Sequence, residues 1–311
     1  MPAQHIFAGN PLDRGERERR DEKWIKDQIS NPTSKFLPIW ESRVLVSSQE
    51  PLKLGWLDSD QLANAKFDSA PFLLGMLNDS TYFTIDMSKS TQSAESIEKL
   101  TDYKFEDSRT AAEALELEDT GILAQARAQI NWHNRHGFCS VCGNETSVKR
   151  GGQKRECTKC EAEHFPRVDP VIIMVVHDRD YCLLGQSRGR LAATNRYSAL
   201  AGFVDQAESI EEAVSREVME EAGIRVKNVT YHSSQPWPFP SSLMIGCHAE
   251  ADTTEISMDT EEMTDVKWFN RQEVLAALNG ENANLLIPGR IAIAHHLIRS
   301  WAEGEISQRE E

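Results

Sequence analysis

An α+β or mixed α/β fold is predicted for this 311-residue chain: a mixed N-terminal domain, a four-cysteine ribbon and a C-terminal part of mixed strands and helices. Three observations predict it. Strand-like apolar runs and helical stretches succeed one another without the strict alternation of a parallel α/β sheet. Two C-x-x-C pairs stand close together near the middle of the chain. A strongly amphipathic helix with signals at both ends follows strand-like segments in the C-terminal half.

In residues 1–106, "SRVLVS" and "TYFTID" read as strands between polar turns and "PFLLGML" as another strand or a turn-bounded segment, and no catalytic constellation stands out. Residues 107–135 turn rich in Ala, Leu and Glu. Leu115, Ile122, Leu123, Ala126 and Ile130 mark apolar helix faces there, and Asp119-Thr120-Gly121 reads as a break between two linker helices. The cysteine ribbon occupies 136–165. In residues 166–304, "PVIIMVV", "YCLLG", "VTYH", "SLMIGCHAEA" and "VKWF" are strand-like, while "SIEEAVSREVMEEAG", "RQEVLAAL" and "RIAIAHHLIRSWAEG" are helical. Residues 305–311 read as an acidic tail.

Apolar residues make up 40% and charged residues 27%, ordinary values for a globular chain with real cores. The net charge of −15 argues against a generic binder of nucleic acid or anionic membrane, which needs a basic face. An anionic substrate stays open if metal ions supply positive charge locally. No run approaches the ~20 apolar residues of a membrane span, and the N-terminal segment lacks the apolar core of a signal peptide. The expectation is a cytoplasmic protein with no membrane partner. Cys182 and Cys247, alone in apolar segments, read as buried structural thiols.

Cys139, Cys142, Cys157 and Cys160 follow the spacing C-x2-C-x14-C-x2-C. Two such knuckles bring four thiolates to one point, which suits tetrahedral Zn²⁺ in a structural role, with no open position for chemistry. Gly143, Gly151 and Gly152 supply tight turns between them. A redox dithiol or a disulfide pair fits a short, doubled motif in a cytosolic chain less well. Lys149, Arg150, Lys154, Arg155 and Lys159 keep a nucleic-acid-binding ribbon open as a minor alternative.

The acidic helix opens on Ser209 with Glu212 three residues on, a capping box, and Gly223 is placed to end it. Glu217, Glu220 and Glu221 fall at i, i+3 and i+4 and share one face. Three like charges there cost stability unless neutralised. Hard oxygen ligands on one helical turn suit Mg²⁺ or Mn²⁺; charge alone leaves a solvated acidic face as the other reading of the same residues. Arg216 can pair with an acid such as Glu208 and anchor the preceding loop. Downstream, "SQPWPFP" from Ser234 alternates proline with aromatics, a stiff apolar stretch ill-suited to a central strand.

Gly202, Glu208, Arg216-Glu217, Val218, Glu220-Glu221, Gly223 and Ile224 fill every fixed position of a pattern that resembles the Nudix box, G-x5-E-x7-R-E-U-x-E-E-x-G-U. With the ribbon, "SQPWPFP", "FAGNPLDR" and "NWHNRHGFCSVCG", nearly the whole chain resembles the NADH pyrophosphatase branch of the Nudix hydrolases. The resemblance implies a Nudix α/β/α sandwich and metal-dependent hydrolysis of NADH or NAD⁺ to NMN(H) and AMP. Removal of an NAD cap from RNA, or hydrolysis of another dinucleotide or ADP-ribose, stays open. It further implies that Glu217, Glu220 and Glu221 are catalytic and hold Mg²⁺ or Mn²⁺ with Glu262 and the Ala201 carbonyl, with Glu261 in reserve for Glu262. Phe165, Phe203, Gln235, Trp237 and Ser242 become substrate contacts, with Phe203 stacking on a ring of the substrate and Phe165 completing the sandwich, within one chain or across a homodimer. One departure is local: many members have a glycine before the first box glutamate, where this chain has Gln206-Ala207.

Overall fold

The computed structural model describes residues 5–64, 69–88, 90 and 94–305, with side chains throughout except those of Ala63, Asn64 and Leu100. The acidic tail lies outside the described residues apart from Glu305. Two compact units result. One comprises Ile6–Val168 with Trp237–Ser241; the other comprises Asp169–Pro236 and the described residues from Ser242 on, with His5.

In the first unit the elements run α1 (Glu22–Ile29), β1 (Lys35–Trp40), β2 (Arg43–Ser47), α2 (Ser59–Asn64), β3 (Phe72–Leu77), β4 (Ser80–Asp86), α3 (Ala94–Leu100), β5 (Tyr103–Asp107), α4 (Ser108–Ala114) and α5 (Leu117–Arg135). The two runs read as strands become β2 and β4, and "PFLLGML", read as a strand or a turn-bounded segment, holds β3. The sheet order is β3-β4-β1-β2-β5, with β1 parallel to β4 and the other pairs antiparallel. Its core is Phe36, Leu45, Leu73, Phe83 and Phe105, with Phe36 stacked on Phe83 at 5.3 Å.

The helix break is not where the sequence places it. Glu116 caps α5, and Gly121 lies inside that helix. A Cβ on Gly121 would come within 2.5 Å of the Asn10 backbone nitrogen, so the glycine serves a close backbone approach rather than a turn.

The ribbon belongs to the same unit and consists of β6 (Thr146–Lys149), β7 (Lys154–Cys157) and β8 (Glu163–His164). Gly143, Gly151 and Gly152 all have positive φ, as tight turns require. His133 of α5 stacks on Phe72 at 3.9 Å and bonds to the Gly152 carbonyl at 2.8 Å, fixing the ribbon to the sheet.

The second unit holds β9 (Asp169–Asp178), β10 (Tyr181–Ser187), α6 (Arg190–Ala193), β11 (Leu200–Phe203), α7 (Ile210–Ala222), β12 (Val226–Trp237), β13 (Ser242–Ala251), β14 (Met263–Asn270), α8 (Arg271–Leu278) and α9 (Ile293–Ala302). The sheet order is β12-β13-β9-β10-β14, with β11 paired to β9. Val171–Val176 of β9 are buried throughout, as a strand covered on both faces requires. Alternate residues point oppositely: Ile173 and Val175 pack with Leu297 and Trp301 of α9, Ile172 and Met174 with Val214 and Val218 of α7. This is a helix–sheet–helix sandwich. "SQPW" ends β12, an edge strand, the place in a sheet that tolerates Pro236.

Candidate active site

The acidic helix is held at both ends as its sequence requires. Ser209 and Glu212 form the reciprocal capping box, and Gly223 ends α7 with φ +70°. Val214 and Val218 face the core, which swings Glu217 and Glu221 inward beside β11; both are buried, at 9% and 6% exposure. Glu220 projects outward, with 56% of its side chain exposed.

Between β11 and α7 the loop is clamped by Arg216. Its Nε and Nη2 donate to the two Glu208 oxygens at 2.8 and 2.9 Å, and Nη2 also donates to the Phe203 carbonyl at 2.9 Å. The Arg216 bonds hold the Glu208 carboxyl down at about 2. Nη1 bridges Glu217 and Glu220 at 2.8 and 2.9 Å, offsetting part of the like-charge repulsion on that face. Ala207, where glycine was expected, takes φ +64°.

Gly202 lies against Glu217 so closely that a Cβ would sit 1.9 Å from the carboxyl carbon. Burial raises the pKa of Glu217. Burial, reinforced by the charges of Glu217 and Glu262, pushes Glu221 up to about 8 despite a bond from the Ala201 backbone. Glu221 Oε2 is buried without a hydrogen-bond partner. An orphaned carboxylate oxygen among mutually repelling acids fits a hard divalent cation. Among the described residues, however, the four cysteines are the only group of three or more such ligands whose donor atoms all lie within 4.8 Å of one another; no three of the glutamates do.

The cysteine site is nearly closed. Cys139 and Cys160 sulfurs are 3.7 Å apart, and those of Cys142 and Cys157 3.4 Å. Four thiolates about 2.3 Å from a tetrahedral Zn²⁺ would lie about 3.8 Å from one another. Backbone N–H groups of Val141, Lys159 and Cys160 point at the sulfurs, as knuckles provide. Cys182 and Cys247 are wholly buried, and burial raises both thiols, Cys247 to about 11.

The residues read as substrate contacts are placed unevenly. Phe203 is exposed at the end of β11, and Phe165 is exposed after the ribbon. Ala201 and Ser242 are half-buried in β11 and β13. Gln235 departs from the expectation: it is wholly buried, its Nε2 donating to the Ile291 carbonyl and its Oε1 accepting from the Ile293 N–H, both at 2.8 Å. Its carboxamide is spent on fixing β12 to the start of α9. Trp237 is half-buried, edge-on to Phe7 at 5.8 Å and to Phe239 at 5.3 Å, with the Arg109 guanidinium 5.5 Å from its ring. Arg127 donates to the Pro238 carbonyl at 2.9 Å and lies 4.6 Å from the Phe239 ring. The sequence reading missed these two arginines, which look like surface charges on helices. It also missed Arg188, whose backbone N–H donates to the Glu262 carbonyl at 2.8 Å.

Comparison with known proteins agrees with this architecture. The NUDIX domain family matches residues 166–287, the NADH pyrophosphatase zinc ribbon 134–165, and the NADH pyrophosphatase-like rudimentary NUDIX domain 33–132. The chain is 33% identical over 378 aligned positions to "Nudix hydrolase 19, chloroplastic" of Arabidopsis thaliana, covering 96% of this chain and 86% of that protein. It is 46% identical over 198 residues to the Homo sapiens "NAD-capped RNA hydrolase NUDT12", which is 60% of this chain and 42% of that protein. It is 40% identical over 203 residues to the Mycobacterium bovis "NAD-capped RNA hydrolase NudC", 61% of this chain and 63% of that one. The chain thus spans less than half the length of the human relative.

The chain belongs to the Nudix hydrolase family. Within it, the ribbon and the rudimentary N-terminal domain place the chain in the NADH pyrophosphatase branch.

Proposed function

We propose that this chain hydrolyses the pyrophosphate bond of NADH or NAD⁺, giving NMN(H) and AMP. The observation that carries this reading is Glu221 Oε2, buried and unpartnered beside Gly202 and Glu217 in a box helix of this family. Glu217, Glu220, Glu221, Glu262 and the Ala201 carbonyl would hold Mg²⁺ or Mn²⁺. When bound, the ion supplies charge neutralisation for the pyrophosphate and Lewis acidity. Attack of water forms one P–O bond as the bridging P–O bond breaks, and the water's proton must leave. Glu221 is the acceptor, being the least solvated carboxylate of the group. Arg216 keeps the loop and the Glu217 carboxylate in place.

Phe203 and Trp237 would offer ring faces to the flat ends of the dinucleotide, with Phe165 and Ser242 as further contacts; Gln235 acts by fixing β12. The domain limits 1–106, 107–135, 136–165, 166–304 and 305–311, a homodimer, and a cytoplasmic location are part of the same reading. Four thiols gathered in a cluster suited to zinc, with Cys182 and Cys247 buried, fit a reducing compartment, and among the described residues no helix is long and apolar enough to cross a membrane. Relatives with chloroplastic and mitochondrial names exist.

A second reading, NAD-cap removal from RNA, is favoured by the names of the human and mycobacterial relatives. Steady-state kinetics on NADH, NAD⁺, ADP-ribose and NAD-capped RNA with one preparation rank the substrates. In the same assays Glu221→Gln should lower kcat by roughly 10²–10⁴-fold with the fold intact. Near-normal turnover by the folded variant would reject the site.

A further inference from the structure

We propose that Arg188 is a positioning residue for Glu262: by bonding to backbone carbonyls it fixes the loop that carries this carboxylate, and so sets the affinity of the acidic centre for a divalent cation. The inference rests on the reading of that centre given above.

β10 ends in a bulge between Gln186 and Ser187, and the bulge delivers Arg188 to the acidic loop "DTEEM", residues 259–263. Its backbone N–H donates to the Glu262 carbonyl at 2.8 Å. Its guanidinium turns back on the same loop, with Nε and Nη2 3.1 and 2.6 Å from the Thr260 carbonyl. The loop is stitched to α7 on its other side. Ser257 N–H donates to the Ala222 carbonyl at 2.8 Å, and Asp259 N–H to the Glu221 carbonyl at 3.4 Å. Inside the loop, Asp259 accepts from the Glu261 N–H at 2.7 Å through its side chain and from the Met263 N–H at 3.0 Å through its carbonyl. Thr260 and Glu262, the stretch between these internal ties, depend on Arg188 for their outward anchor.

The kind of bond matters. Arg216 pairs directly with carboxylates and so offsets their charge. Among the described residues, the Arg188 guanidinium meets a carbonyl instead, which holds Glu262 in place and leaves its carboxylate exposed and free to ligate. Two donors of one planar fork on a single oxygen is a geometry that lysine cannot reproduce. Groups that orient a metal ligand without touching the ion typically change affinity about 10–100-fold when removed.

The test is Mn²⁺ binding to the substrate-free, zinc-loaded protein, read by electron paramagnetic resonance of free Mn²⁺, alongside the Mn²⁺ dependence of NADH hydrolysis. Arg188→Ala should weaken Mn²⁺ binding about ten-fold. The same factor should appear in the Mn²⁺ concentration for half-maximal rate rather than in kcat at saturating Mn²⁺, with Arg188→Lys intermediate. Because Arg188 acts through Glu262, adding Arg188→Ala to Glu262→Gln should weaken binding less than about two-fold further. Unchanged affinity in Arg188→Ala, where Glu262→Gln binds weakly, overturns the inference about Arg188 alone. Unchanged affinity in both overturns the Glu262 assignment and the inference with it. If Arg188→Ala does not fold, Arg188→Lys decides: weakening of about three-fold or more supports the role, and wild-type affinity overturns it.

Discussion

Gly202 and Glu217 stand so close that a methyl group on the glycine would lie 1.9 Å from the glutamate's carboxyl carbon. The first glycine of the box is therefore a space reserved for a carboxylate, not a hinge. Gly202→Ala must push Glu217 aside or lift β11. A displacement of about 1 Å at a catalytic group costs about 100-fold, so kcat should fall by at least that factor while zinc content and circular dichroism stay unchanged. Normal turnover by this variant would place the metal-holding function elsewhere.

Ala207 takes φ +64° in the loop that Arg216 clamps. An L-residue there costs roughly 1–2 kcal/mol relative to a conformation it prefers, and glycine is nearly free of that cost. Ala207→Gly should raise stability by up to about 1 kcal/mol, after the extra chain entropy of glycine is set against the strain. Equilibrium urea unfolding checks this; a loss of stability would mean that the alanine methyl makes a contact worth more than its strain.

How far the sequence reveals the site depends on how local the signal is. The box places Gly202, Glu208, Arg216, Glu217 and Glu221 within one strand, loop and helix, so spacing alone specified their arrangement. Gly121 misled because a glycine that admits a neighbouring strand of backbone looks the same in sequence as one that breaks a helix. Gln235 misled because its partners, Ile291 and Ile293, are more than fifty residues away and are backbone groups, which leave no trace in residue identity. Arg188 was invisible for the same reason.

Acid should weaken the catalytic unit through its buried histidines. His248 is 3% exposed, and neither ring nitrogen has a partner. Burial, followed by the nearby His232 and His177, depresses its pKa to about 3. His5 is depressed to about 4, by burial and then by His296 and His232. Below the ordinary value near 6.5, the unfolded chain takes up protons that the folded chain refuses, so this stability is complete above pH 6.5 and drains away as pH falls toward 4. Each group should remove about 1.5–2 kcal/mol by pH 5. Urea midpoints from pH 7.5 to 5 should show the decline, and His248→Phe should flatten it; a variant with an unchanged slope would absolve this histidine.

Zinc should hold the ribbon. Cys157 is 2% exposed and accepts N–H bonds from Lys159 and Cys160, but the ribbon's short strands bury little apolar surface of their own. A small piece without a core depends on its metal. Elemental analysis should find one zinc per chain, and Cys157→Ser should lose it and lower the melting temperature, with the chemistry of any folded remainder unchanged. A metal-free wild type of full stability would refute the assignment.

Trp237 separates substrate recognition from scaffolding. Its ring is edge-on to Phe7 and Phe239, with Arg109 5.5 Å from its centroid, and Pro236 and Pro238 flank it. The prolines fix their own φ and push the preceding residues toward extended conformations, so the ring is pre-ordered and loses little entropy on stacking. Removing a stacked ring costs on the order of 1–3 kcal/mol, roughly five- to a hundred-fold in kcat/KM. Trp237→Ala should therefore lower kcat/KM for NADH by such a factor and spare a minimal pyrophosphate substrate that lacks the second nucleoside. Glu221→Gln, measured beside it, should impair both substrates equally, because it acts at the bond that they share. The contacts to Phe7 and Phe239 predict some loss of stability as well, so assays belong well below the variant's melting temperature. If both substrates fall by the same factor in folded Trp237→Ala, the ring supports the metal site through the packing of its loop, and its role as a recognition face is lost.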